Sequence, residues 1–120
     1  MSFCWSTIMV KDMKESLEFY RDIVGLEVDK PFAAGKGKEI VFLGKGETKV
    51  ELICDVSQKE VDIGADISLG FKVDSLEKKA EFIKSRGIKI HSGPFEPNPN
   101  TKFFYILDPN GLRIQFVEQR

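Results

Sequence analysis

Ile8-Met9-Val10-Lys11-Asp12-Met13-Lys14-Glu15-Ser16-Leu17-Glu18-Phe19-Tyr20-Arg21-Asp22-Ile23-Val24-Gly25-Leu26 is the stretch that decides the fold. It opens inside a β-rich run, Phe3–Val10, that reads as a strand. Asp12 and Glu15 then have the spacing of a capping box, in which each side chain satisfies an otherwise unpaired backbone N–H of a helix start. Met13, Leu17, Tyr20 and Val24 recur at helical spacing, so one face of that helix points inward. Gly25 suits the left-handed position that ends a helix.

Working outward, Leu26–Phe32, Glu39–Leu43 and Lys49–Cys54 read as three further strands, separated by the glycine-rich stretches Ala34–Gly37 and Gly44–Gly46. After a polar link, Asp55–Asp66, the pattern restarts. Ile67–Val73 reads as a strand, and Asp74 with Glu77 repeats the capping-box spacing. Leu76, Ala80 and Ile83 line a helix face that Gly87 closes. Ile88–His91, Lys102–Leu107 and Leu112–Glu118 complete the set as strands, and Ser92–Thr101, with its three prolines, reads as a long loop of the kind that forms lids or rims. Asp108-Pro109-Asn110-Gly111 is a hairpin signal: proline presets φ for the second turn position and glycine supplies positive φ at the exit.

The two halves superpose by number. An offset of 63 places Trp5 on Ser68, Ile8 on Phe71, Val10 on Val73 and Phe19 on Phe82, and an offset of 64 places Val50 on Ile114, Glu51 on Gln115 and Leu52 on Phe116. Few pairs are identical, but the order β-α-β-β-β occurs twice, which suggests two facing copies rather than a solenoid.

Composition bounds the function. The 120 residues fit one domain, or two half-size modules sharing a core. With 42% hydrophobic and 31% charged residues the chain buries a core and is not disordered. The 18 basic and 19 acidic side chains leave a net charge of −1, no electrostatic footprint for nucleic acid. No apolar run approaches the roughly 20 residues of a membrane span. Met1–Val10 has neither the basic start nor the apolar stretch of a signal peptide. Two cysteines, Cys4 and Cys54, are too few for a disulfide scaffold and suggest a reducing, cytoplasmic setting.

The opening stretch resembles the first module of the vicinal oxygen chelate superfamily, which holds glyoxalase I, bleomycin resistance proteins and extradiol dioxygenases. Asp108-Pro109-Asn110-Gly111 followed by Ile114-Gln115-Phe116 matches its closing hairpin, and Phe71-Lys72-Val73 its second module. The resemblance covers essentially the whole chain. It implies an α+β fold: two βαβββ modules forming a cup-shaped, curved mixed sheet, as one domain over 1–120 with module one at about 1–55, a linker at about 56–66 and module two at about 67–120. In metal-dependent members, four positions on the cup floor bind a divalent ion, two per module on the first and last strands. Carried over, they are Trp5, Glu51, Ser68 and Gln115, the same pairs that the internal repeat makes.

Those residue types decide against the usual metal chemistry. Catalytic metal sites need at least three good ligands from thiolate, imidazole or carboxylate. An indole is a donor only, and serine hydroxyl and glutamine amide oxygens are neutral, weak ligands. Only Glu51 is a good one, and the sole histidine, His91, lies at no matching position. The expectation is therefore no cofactor, with a divalent metal in a non-standard set as the alternative. Glu51, on a strand that alternation allows to face either way, would orient a polar ligand or act as a general base if it faces the cavity, or else lie in solvent. Trp5 is read as a stacking platform or as core filler, and Ser68 and Gln115 as polar wall. Phe103, with Phe32 and Phe95, is read as apolar rim or ordinary core, His91 as a surface residue rather than an acid or base, and Cys4 and Cys54 as buried strand residues. Ala33-Ala34-Gly35-Lys36-Gly37-Lys38 lacks the spacing and the Ser/Thr of a phosphate loop.

The function expected is a glyoxalase- or bleomycin-resistance-like, metal-independent protein that holds a small organic molecule in the cup, paired as a homodimer. The alternatives are a glyoxalase I-like lyase or isomerase using Glu51 as base or a non-standard metal site, and a non-catalytic dimerisation module.

Overall fold

The computed structural model describes residues 1–33, 37–58 and 60–120, with residues 30–33 described by their backbone alone. Residues 34–36 of the glycine- and lysine-rich stretch, and the Phe32 side chain, lie outside the described residues.

The chain forms two compact units, Met1–Ile63 and Gly64–Arg120. In the first, β1 (Trp5–Met9) leads to α1 (Met13–Glu18) and then to β2 (Val28–Ala33), β3 (Lys38–Leu43) and β4 (Lys49–Asp55). In the second, β5 (Ser68–Lys72) leads to α2 (Leu76–Ser85), β6 (Ser92–Asn98), β7 (Thr101–Leu107) and β8 (Arg113–Gln119). Each unit holds one open four-stranded mixed sheet, ordered β1-β4-β3-β2 and β5-β8-β7-β6. The first strand pairs parallel with the last, and the other pairs are antiparallel. A parallel neighbour requires a crossover, and the helix supplies it in each unit. This is the α+β architecture expected from the sequence.

Alternation assigns the two faces of each sheet. In the first unit Ile8, Val41, Leu43, Val50 and Leu52 are buried on the side where α1 packs against β4. In the second, Phe104, Ile106, Ile114 and Phe116 are fully buried where α2 packs against β8. The opposite face of each sheet carries the polar and aromatic residues described below.

The Asp12 carboxylate accepts from the Glu15 N–H at 3.1 Å, as the capping spacing predicts. Beyond Glu18, however, the helix widens into π-helical turns over Phe19–Val24, closed by Gly25 at φ 94° with its N–H donating to the Tyr20 carbonyl. The second cap also differs from the capping box expected at Asp74: Ser75 occupies it, accepting from the Lys78 N–H at 3.2 Å. The Leu76 N–H is taken instead by the Glu118 carboxylate of β8 at 2.8 Å.

The Ile88–His91 segment is not a strand, and Ser92–Asn98, expected as loop, is one. The prolines explain the error. β6 is an edge strand, where a missing N–H costs no ladder bond on the open side, and the ladder to β7 slips between Ser92 and Phe95 and between Phe95 and Asn98, the intervals that contain Pro94 and Pro97. The cysteines correct a second expectation: Cys4 is exposed ahead of β1, and Cys54 is half-buried. The Asp108-Pro109-Asn110-Gly111 turn forms as expected, but its organiser is Asp108. This 5%-exposed carboxylate accepts from the N–H groups of Asn110 and Leu112, both at 2.8 Å, while Gly111 sits at φ 89°.

Candidate functional site

On the open face of the first sheet, Glu51 stands in the middle of β4, level with Thr7 of β1 and Phe42 of β3. Its side chain is 9% exposed, and the Thr7 hydroxyl donates to Oε1 at 2.6 Å. Trp5, two residues before Thr7, falls on the same face by alternation and packs edge-on against Phe42 at 5.2 Å between ring centroids. Trp5 is 49% exposed, which leaves much of the indole open to a partner and does not fit core filler. Lys49, level with Trp5, is held by Asp29 at 2.6 Å.

The second sheet repeats this register with different chemistry. Trp5 opposite Lys49 becomes Ser68 opposite Arg113, and Thr7 opposite Glu51 becomes Gly70 opposite Gln115. Where Thr7 supplies a hydroxyl, Gly70 supplies space: a Cβ there would lie 2.9 Å from the Gln115 Oε1. The Gln115 Nε2 donates to the Tyr105 hydroxyl at 3.4 Å, a long bond. Phe95, Phe103 and Tyr105 form a cluster of rings with centroids 5.4–6.5 Å apart. The Arg113 guanidinium lies over the Tyr105 ring at 5.2 Å, and its buried Nε has no hydrogen-bond partner among the described residues.

The residues singled out in the sequence thus gather in two groups, Trp5 with Glu51 on one open face and Ser68, Gln115 and Phe103 on the other. His91 joins neither; it is exposed, with Nδ1 3.3 Å from the Ser92 hydroxyl. Sequence reasoning missed Thr7, Phe42, Tyr105 and Arg113. The period-two spacing of Trp5-x-Thr7 and Arg113-x-Gln115, applied to the strands already assigned, is the signal that finds two of them. A separate groove of about 370 Å³ lies in the second unit between α2 and the sheet, lined by Leu76, Ala80, Pro94, Phe104 and Glu118 among others.

Residues 3–116 match the family model described as the Glyoxalase/Bleomycin resistance protein/Dioxygenase superfamily. The chain belongs to this superfamily. The lactoylglutathione lyase of Neisseria meningitidis serogroup A is 23% identical over all of this chain and 92% of its own. The protein YraH of Bacillus subtilis, which has no assigned activity, is 26% identical over 92% of this chain and 93% of its own. Among solved structures, maize glyoxalase I superposes with a TM-score of 0.85 at 24% identity, over 98% of this chain and 44% of that chain, so this chain spans less than half the maize enzyme. TnmS3, an antibiotic binding protein of Streptomyces, superposes with a TM-score of 0.76 at 17% identity over 100% of this chain and 97% of its own. The two likenesses establish the fold.

The resemblance carries the metal positions over to Trp5, Glu51, Ser68 and Gln115. One carboxylate, two neutral oxygens and an indole without a lone pair do not fit a tightly held transition metal. No cluster of three or more His, Cys, Asp and Glu side chains forms among the described residues. No helix among them is long and apolar enough to cross a membrane.

Proposed function

We propose that this protein is a metal-independent binder of a small organic molecule, with Trp5, Glu51, Ser68, Gln115 and Phe103 as its ligand contacts. The observation that carries this reading is the pairing of a half-exposed indole with a buried carboxylate that keeps one oxygen on Thr7. Such a face offers a stacking platform and one charged acceptor, the small set of polar groups among apolar surface that fixes a ligand's orientation. The likeness to an antibiotic binding protein of similar length is consistent with it. The protein acts in the cytoplasm as a homodimer, without nucleic acid or membrane partners.

A second reading, a glyoxalase-like lyase or isomerase with Glu51 as general base, is favoured by the full-length match to lactoylglutathione lyases. A thermal-shift screen of small organic molecules separates the two, because a ligand specific to the native state raises the melting temperature. Binding predicts a saturable rise with some members of the screen, and turnover of methylglyoxal with glutathione no faster than in buffer. Turnover that disappears in Glu51→Gln would replace the binding reading with the lyase one. A protein without ligand or turnover would be a dimerisation module.

A further inference from the structure

The open face of the second sheet holds a cation that its own unit does not neutralise. In the first unit the corresponding position is Lys49, and its ammonium is held by Asp29 at 2.6 Å. Arg113 has no ion-pair partner among the described residues, and Ser68, Gln115 and Tyr105, its neighbours on the face, carry no carboxylate. The register explains the difference. Lys30 pairs with Phe42 and Ser92 with Tyr105, so the residue preceding each pair is Asp29 in the first unit and His91 in the second. A buried N–H without an acceptor carries the full cost of its lost hydration, and the stack over Tyr105 keeps the guanidinium from swinging away to recover it.

We infer that Arg113 is the anchor for a carboxylate carried by an aromatic ligand. A guanidinium presents Nε–H and one Nη–H as a planar fork that matches two carboxylate oxygens, a geometry that an ammonium lacks. Arg113 as a whole is half-buried but its Nε is shielded from solvent, so a carboxylate that takes the fork displaces the side chains covering the Nε–H. The Tyr105 hydroxyl and the Gln115 amide, joined by a bond at the long limit, are free to shift toward a bound oxygen. Phe95, 44% exposed, and Phe103 offer their rings to the ligand's own ring beside the fork. This assignment rests on the binding reading above and names the chemical class of its ligand.

The test uses benzoate and benzamide, which share shape and differ in charge. The Arg113 Nε–H resonance is identified by its disappearance in Arg113→Lys and followed by NMR as each compound is added to the wild-type protein. Benzoate is expected to shift it saturably and benzamide to leave it in place. Arg113→Lys, which keeps the charge but loses the fork, is expected to weaken benzoate at least about tenfold with an unchanged melting temperature. An equal response to benzamide, or benzoate binding undiminished in Arg113→Lys, overturns the carboxylate anchor and leaves the binding reading in place. So does silence toward both compounds while other organic molecules stabilise the protein. Silence toward both, with no molecule raising the melting temperature, overturns both. If Arg113→Lys does not fold, the wild-type response to the two compounds decides, with the resonance assigned through the backbone.

Discussion

Thr7 and Glu51 meet across adjacent parallel strands, and their 2.6 Å bond is a local decision with consequences for any ligand. The hydroxyl satisfies one carboxylate oxygen of a side chain that is 9% exposed. Thr7→Val keeps the shape and removes that donor, so it is expected to destabilise the fold by about 1–3 kcal/mol, read from denaturant unfolding. Trp5 gives the opposite balance. With half its surface open, Trp5→Ala is expected to cost far less stability than the roughly 3–5 kcal/mol of a buried aromatic, and to weaken a planar ligand by about 1–3 kcal/mol. As the only tryptophan, its fluorescence reports both effects from one place. Glu51→Gln is expected to weaken a cationic or N–H-donating ligand more than a neutral one, because it removes charge while nearly keeping shape. Loss of stability with unchanged affinity in Trp5→Ala would contradict this placement of the indole.

Helix α2 shows how an element's start depends on a strand distant in sequence. Its first N–H is capped by Glu118 of β8, and that hydrogen bond, with Arg120 beside it, holds the carboxyl below its ordinary value of 4.5. A carboxyl with a depressed folded-state pKa stabilises the fold fully above its unfolded value and loses that contribution as pH falls through the folded one. Glu118→Gln is therefore expected to lower the melting temperature at neutral pH, with the difference from wild type shrinking as the pH falls below about 4.5. A difference independent of pH would mean that the side chain acts through packing alone. Such a cap is invisible to local sequence reading, which looks three residues ahead and found Asp74 and Glu77 instead of Ser75 and a strand residue 42 positions away. Strands with central, alternating positions were legible: Glu39–Leu43 and Lys102–Leu107 differ from the structure by a single residue at one end. The edge strand β6 was not, since its two prolines carry a loop signal that only its place in the sheet order overrides.

Across the whole molecule, the repeat inferred from an offset of 63–64 in the sequence reappears as identical register in the two units, Trp5 opposite Lys49 and Ser68 opposite Arg113. That periodicity made Glu51 and Gln115 findable as a pair. It could not reveal that one copy keeps Asp29 against its cation while the other does not, because that depends on which residue an irregular edge strand presents. Assembly is a prediction at this scale as well. Isologous pairing is the commonest oligomer, and sedimentation at micromolar concentration is expected to give a dimer of the 13.6 kDa chain; a single monomeric species would contradict it.

The central claim is that this member of the superfamily holds an organic ligand without a metal, and one measurement tests it most directly. The melting temperature is recorded with and without a strong chelator, each with and without the organic ligand that the screen identifies. The account predicts that the chelator changes nothing and that the ligand raises the melting temperature by the same amount in both conditions. A melting temperature lowered by the chelator, or a ligand effect that vanishes in its presence, would contradict it.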